Sequence, residues 1–367
     1  MYYAAPLNAA NPNDMRVVIE ARALALPTGG IRNYVRELVA ALERSAQQDE
    51  FVTVGTDRKP GILLSYWLNG SLPKEISALK PDVVHFTKAA VPKHTSWPTV
   101  VTIYDVIPLL FPQSQKFGRA GYWHKALRHA ASRSDHVITI SEASKRDIIR
   151  HLQVDAGKVS VTPLAADSTR FKPQSEPAAS PYILFVGTRE PRKNISSLLR
   201  AFATIQDEVT HDLIIAGRVH SNPRDEQKLA TDLGIADRVE WRTDVSDGEL
   251  PSLYAQASLF VLPSIYEGWG FPAQEAMTSG TPVIVSDGGS LPEVVGDAGI
   301  VVKFSTADLT ERMRDDLFER ELGLQMVRVL SDEQLANDLR IKGLAQAASS
   351  SWDTVAAATK QIYNSVR

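Results

Sequence analysis

The sequence predicts an α/β protein built from two doubly wound, Rossmann-like domains facing a central cleft. Three observations predict it. The chain has 367 residues, more than one core ordinarily organises, so a division into two domains follows. Short, nearly continuous apolar runs alternate with amphipathic helical stretches, the pattern of parallel sheets buried on both faces. A Pro- and Ser-rich stretch without periodicity, Lys172 to Pro181, separates two such series and reads as a linker.

In the first series Arg16–Glu20 is the opening strand. A glycine loop follows, then a helix from about Ile31 to Arg44, with Ile31, Tyr34, Val35, Leu38, Val39 and Leu42 at helical spacing. Strands follow at Val83–Phe86, Val100–Ile103, Val137–Ile140 and Val159–Val161. In the second series strands fall at Tyr182–Val186, Leu213–Ala216, Arg238–Trp241, Leu259–Leu262, Pro282–Val285 and Gly299–Val302. The two domains therefore span residues 1–172 and 182–350. Ligands of such domains bind beyond the carboxyl ends of the strands.

Composition narrows the chemistry. The chain has no cysteine, which excludes disulfides, thiolate catalysis and zinc–thiolate sites. No apolar run is long enough to span a bilayer. Met1 to Asp14 has neither the basic residues nor the apolar core of a signal peptide, and reads as an extension before the first strand. These features fit a soluble, cytoplasmic protein. Net charge is −3 but uneven. Residues 1–170 hold 21 Lys and Arg against 15 Asp and Glu, and the remainder 19 against 28. A basic first half and an acidic second half suit different partners.

The most informative segment is Tyr266-Glu267-Gly268-Trp269-Gly270-Phe271-Pro272-Ala273-Gln274-Glu275. It reads as strand, glycine-rich loop, short helix, with Pro272 suited to the first helical position and Gly280 to the C-terminal cap. The backbone N–H groups of Gly270 and Phe271 then lie at a helix N-terminus, a ready anion site. Glu267 and Glu275, eight positions apart, flank that site. They suit hydroxyl donors on either side of a phosphate group. A nucleotide sugar has that pattern. The competing reading is a loop carboxylate and a solvated helix residue.

The segment resembles the E-x7-E motif of the GT-B retaining glycosyltransferases of family 4, and the resemblance runs in order from Met15 to Arg367. It implies that Glu267 meets the donor sugar, that Glu275 meets the ribose, and that Gly270, Phe271 and Pro272 line sugar and phosphates. It also implies that the last helix, 352–367, crosses back onto the N-terminal, acceptor-side domain.

Other motifs support it. Gly187-Thr188-Arg189-Glu190-Pro191-Arg192-Lys193-Asn194 follows a strand and opens a helix. Adjacent cations beside a glycine turn form a diphosphate clamp, and the stretch resembles the family's phosphate loop, with Arg192 and Lys193 as ligands. Thr28-Gly29-Gly30 follows the first strand, where glycine permits close ligand approach. By resemblance Gly29 and Gly30 face the donor diphosphate, and the alternative is a plain strand-to-helix turn. Tyr104-Asp105 stands where the family often has His-Asp. Asp105 is the candidate for orienting the acceptor hydroxyl, the alternative being a strand-end cap.

Between Phe111 and Ser134 there is no acidic residue, while Lys116, Arg119, Lys125, Arg128 and Arg133 interleave with Phe117, Tyr122 and Trp123. A basic, aromatic stretch over 116–133 suits an anionic membrane surface, and so a peripheral place on the cytoplasmic face of the inner membrane. The alternative is a phosphate-bearing acceptor or solvent.

The chain has no Asp-x-Asp metal clamp, no dinucleotide fingerprint and no feature pointing to nucleic acid. The expected activity is retaining, metal-independent and cofactor-free transfer of a hexose from a nucleotide sugar. The form of the phosphate loop resembles bacterial mannosyl- and rhamnosyltransferases of surface-polysaccharide assembly, with GDP-mannose the leading donor. The expected acceptor is a saccharide or a polyprenyl-diphosphate-linked saccharide. The rival activity is a nucleotide-sugar hydrolase or epimerase of the same architecture.

Overall fold

A computed structural model describes residues 14–26, 29–46, 48–57, 64–112, 119–174, 178–219 and 223–367. The N-terminal extension up to Asn13, Thr28 of the first glycine loop, Lys116 and Phe117 of the basic stretch, and 175–177 of the linker lie outside the described residues. Chain contacts divide the protein into two compact units. One comprises Met1–Ile140, Lys145–Pro163 and Trp352–Arg367; the other comprises Ser141–Ser144 and Leu164–Ser351.

The first unit holds a six-stranded parallel sheet of β1 (Arg16–Glu20), β2 (Glu50–Val54), β3 (Val83–Phe86), β4 (Thr99–Thr102), β5 (His136–Thr139) and β6 (Val159–Val161). The spatial order is β2-β1-β3-β4-β5-β6. Strand β2 has no counterpart in the sequence reading. Its residues Phe51, Val52 and Thr53 are only partly buried at the sheet edge, so the continuous apolar run that marks the inner strands is missing. The helix Gly30–Arg44 buries Tyr34, Val35, Leu38, Val39 and Leu42, the stripe expected from their spacing.

The final helix, Trp352–Val366, packs within this first unit. Its Tyr363 hydroxyl meets Nδ1 of His85 on β3 at 2.7 Å, and His85 Nε2 meets the Thr102 hydroxyl at 2.8 Å. Tyr34 joins the same Thr102 at 3.2 Å, and its ring meets the edges of Tyr104 and Trp352. The hydroxyls of Tyr34, Thr102 and Tyr363 and the His85 ring are buried and each finds a partner, as a buried network must, while Trp352 Nε1 is buried without one. Burial lowers the His85 pKa to about 3, so this histidine is a neutral joint between helix and sheet.

The second unit holds β7 (Tyr182–Val186), β8 (Asp212–Ala216), β9 (Val239–Arg242), β10 (Leu259–Leu262), β11 (Val283–Ser286) and β12 (Ile300–Val302). All pair in parallel, in the order β12-β11-β10-β7-β8-β9. Chain direction across the sheet reverses between β7 and β10. That reversal opens a crevice at the carboxyl ends of these two strands, the place where such sheets bind ligands. In the first unit the corresponding reversal lies between β1 and β3.

Candidate active site at the β7–β10 switch point

The loops leaving β7 and β10 carry the charged residues singled out in the sequence. After β7, Gly187 and Gly217 bring the ends of β7 and β8 into close approach. A Cβ on Gly217 would lie 1.9 Å from the Gly187 carbonyl oxygen, and Gly217 has φ +142°, so only glycine fits there. The following residues, Pro191–Lys193, form a single tight turn that ends at Asn194 in the left-handed conformation. Arg189 anchors this loop. It is 1% exposed, pairs with Glu226 at 2.6 Å and stacks over the Trp241 ring at 4.3 Å.

Arg192 and Lys193 then turn onto Glu267 from the β10 loop. Arg192 Nη1 donates to Glu267 Oε2 at 2.8 Å, and Lys193 Nζ donates to Oε1 at 2.5 Å. The Ser264 hydroxyl donates to the same Oε1 at 2.6 Å. Arg192 also donates to the Tyr266 carbonyl and to Glu190 Oε1. Burial opposes ionisation of Glu267, but Arg192, Lys193 and the Ser264 hydroxyl outweigh it and hold its pKa at about 2. Burial and the neighbouring Arg192 lower the Lys193 pKa, against the pull of Glu267. The sequence reading gave Glu267 to sugar hydroxyls; here both of its oxygens are engaged, by Arg192, Lys193 and Ser264.

The β10 loop is held from the other side by Gly288 and Gly289. A Cβ on Gly288 would sit 2.3 Å from the Ser264 carbonyl oxygen, and one on Gly289 would sit 2.3 Å from that of Glu267. Ser290 donates from its amide to the Glu267 carbonyl at 3.0 Å and from its hydroxyl to the Trp269 carbonyl. The helix Phe271–Thr278 follows with Gly270 as its N-cap and no capping side chain. Pro272 occupies the second helical position, one later than the sequence suggested, because Phe271 already has helical geometry. The Gly270 and Phe271 amides belong to the turn whose N–H groups lack intrahelical acceptors. Gly270 has φ +150°, and a Cβ there would strike Leu291 at 2.7 Å.

Glu275 lies on the same helix, and its Oε2 accepts from the Tyr254 hydroxyl at 2.8 Å. Burial raises its pKa to about 7, against the Tyr254 hydrogen bond and Arg170, while Asp247 adds to the rise. Gln274 fixes the helix in depth. It accepts from Trp269 Nε1 at 3.0 Å and donates to the Leu164 carbonyl at 3.0 Å. Gly187, Arg192, Lys193, Glu267, Gly270, Phe271, Pro272 and Glu275 thus all belong to the second unit. Gly29, Gly30 and Asp105 belong to the first. There Gly29, with φ +123°, caps the helix Gly30–Arg44, and Asp105 Oδ1 accepts from the Ile107 amide at 2.9 Å. Tyr104 is partly buried and donates to the Thr87 carbonyl at 2.8 Å, so the residue in the place of the family histidine ties that loop to the end of β3.

The sequence reading missed Ser264, Tyr254 and Glu190. Ser264 is an ordinary strand-end residue that meets Glu267 within the same loop, and Tyr254 is a helix residue whose role depends on a partner in another helix. Glu190 lies two residues from Arg192 in a charged loop, where sequence alone assigns no pairing.

Residues 167–328 match the family described as Glycosyl transferases group 1, and residues 28–170 match the one described as Glycosyltransferase Family 4. The O-antigen chain mannosyltransferase B of Escherichia coli is 32% identical over 278 residues, 72% of this chain and 69% of that protein. The chain belongs to glycosyltransferase family 4.

This family 4 glycosyltransferase is also similar to the MMP α-(1→4)-mannosyltransferase of Mycolicibacterium hassiacum. The two are 31% identical over 280 residues, covering 73% of this chain and 65% of that protein. Among solved structures, sucrose-phosphate synthase from Thermosynechococcus elongatus superposes with a TM-score of 0.71. That match covers 96% of this chain and 98% of the other at 20% identity, and it shows the shared GT-B fold.

Glu275 accepts hydroxyl donors best when ionised. An intact nucleotide sugar has no phosphate proton to lose near neutrality, so its affinity should be flat above pH 8. Below about 7 it should fall by up to about tenfold per pH unit. Isothermal titration from pH 5.5 to 8.5 checks this, and Glu275→Gln should remove the pH step along with part of the affinity.

Proposed function

We propose that this glycosyltransferase moves a hexose from a nucleotide sugar, GDP-mannose first among them, to a hydroxyl of a saccharide or polyprenyl-diphosphate-linked acceptor. The anomeric configuration is retained and no metal is required. The observation that carries the reading is the pair Arg192 and Lys193, facing Glu267 at the β7–β10 switch point. The mannosyltransferase names of the E. coli and M. hassiacum relatives support the choice of mannose.

The chemistry follows from charge. As the bond from the anomeric carbon to the diphosphate oxygen breaks, negative charge grows on the leaving diphosphate. Arg192, Lys193 and the amides at the Gly270–Phe271 helix start are fixed donors for that charge, the kind of stabilisation that dominates such reactions. Two adjacent cations do the work that a divalent ion does elsewhere. The acceptor oxygen bonds to the anomeric carbon on the face the diphosphate leaves, and its proton passes to the departing phosphate oxygen. Glu267 positions the two cations and lies beside the sugar. Gly187 allows backbone approach to the phosphates. Asp105 orients the acceptor hydroxyl.

The helix Arg119–Arg133 supports a peripheral place on an anionic, cytoplasmic membrane face. Tyr122 is 63% exposed beside Trp123, and Lys125, Arg128 and Arg133 are exposed on the same helix. No helix among the described residues is long and apolar enough to cross a membrane.

A thermal-shift panel of GDP-, UDP- and dTDP-sugars should give the largest stabilisation with GDP-mannose, and transfer should survive EDTA. A larger shift with a UDP-sugar would move the donor assignment, and activity lost to EDTA but restored by magnesium would contradict the metal-free reading. Co-sedimentation with phosphatidylglycerol liposomes should occur at low salt and weaken as salt rises; no co-sedimentation at low salt would remove the membrane surface.

A further inference from the structure

The first unit has its own switch point, between β1 and β3, and it holds charged residues that the donor reading does not use. Glu20 is the last residue of β1 and is fully buried. Its Oε1 accepts from the Arg22 amide at 3.0 Å and lies 3.6 Å from Arg22 Nε. Its Oε2 is buried without a hydrogen-bond partner, and so is Nη1 of Arg22, a residue only 5% exposed. Two residues beyond β3 stands Lys88, half-buried and electrostatically coupled to both. Thr87 ties the two strand ends together by donating to the Glu20 carbonyl at 2.7 Å. On the β2 side Gly55 has φ +74°. A Cβ there would strike the Trp67 ring at 2.8 Å and come within 3.7 Å of Glu20 Oε1.

A buried carboxylate oxygen and a buried guanidinium nitrogen left unpaired each cost free energy, and native proteins keep such groups for a reason. One is a pure acceptor and the other a pure donor. A phosphate would satisfy Arg22 and Lys88 but would be repelled by Glu20. A hydroxyl both donates and accepts, so two neighbouring hydroxyls of one sugar ring satisfy both atoms together.

We propose that Glu20, Arg22 and Lys88 form a binding subsite for a hydroxyl pair of a neutral saccharide, at the β1–β3 switch point of the first unit. The inference rests on the proposal that the acceptor is a saccharide, and it assigns residues that would select it. Burial pushes the Glu20 pKa up while Arg22 pulls it down, and burial together with Arg22 lowers that of Lys88. Both directions are those of groups removed from water rather than of a solvated face.

Saturation-transfer NMR of the full chain with methyl α-D-mannopyranoside, methyl α-D-glucopyranoside and inorganic phosphate tests this. At least one methyl hexoside should show transfer that phosphate and GDP do not displace. Glu20→Gln and Arg22→Lys should reduce it at least fivefold, while stabilisation of each variant by GDP-mannose matches wild type. If those buried variants fail to unfold cooperatively, Lys88→Gln at its half-buried position decides, with a threefold or greater loss expected. Undiminished transfer in the folded variants overturns the proposal. So does displacement by phosphate, which marks an anion site, or by GDP, which marks the donor site. Absence of transfer from every hexoside overturns it as well. If wild type binds hexoside as described but no nucleotide sugar, the donor reading fails and this subsite stands.

Discussion

The ion cluster of Glu267 with Arg192 and Lys193 is the contact on which the second unit's chemistry depends. It joins the β7 loop to the β10 loop across the switch point, with all three side chains nearly removed from solvent. A buried charge is tolerated only when paired and hydrogen-bonded, and removing one partner of such a pair typically costs about 3–5 kcal/mol. Glu190 compensates Arg192 from the other side, so the four charges balance as they stand. On the proposed reading, a donor diphosphate would meet cations whose charge Glu267 and Glu190 already balance.

The glycines make that arrangement sterically possible. Gly217 lets the ends of β7 and β8 meet, while Gly288 and Gly289 let the β11 loop lie against the backbone of Ser264 and Glu267. Each contact is backbone to backbone at distances that admit no side chain. The loops are thus fixed by the strands beneath them, which is how a site on loops gains the precision of a site on rigid elements. Both units follow one plan in this respect. Each places buried charged residues, Glu20 and Arg22 in the first unit and Lys193 and Glu267 in the second, at the carboxyl end of a sheet where the strand order reverses.

Much of the fold is legible in the sequence because inner strands are short apolar runs. Arg16–Glu20, Val83–Phe86, Val159–Val161, Tyr182–Val186 and Leu259–Leu262 were readable to the residue. The edge strand Glu50–Val54 was not, since an edge exposes the face that makes an inner strand recognisable. The charged residues of the candidate site stood out because they cluster in short glycine-rich segments. Their pairings did not. Arg192 and Glu267 are 75 residues apart, Tyr254 precedes Glu275 by 21, and His85 meets Tyr363 across 278. Glu20 and Arg22 looked like an ordinary strand end, and only burial with unpaired atoms separates them from one.

The most direct test of the central claim, that Arg192 and Lys193 hold the donor diphosphate, is calorimetric binding of GDP and of guanosine to wild type, Arg192→Gln and Lys193→Met. The account predicts that each folded variant loses at least tenfold in GDP affinity, about 1.4 kcal/mol, while guanosine binds all three alike. GDP affinity unchanged in a folded variant, or lost in parallel with guanosine, would contradict it.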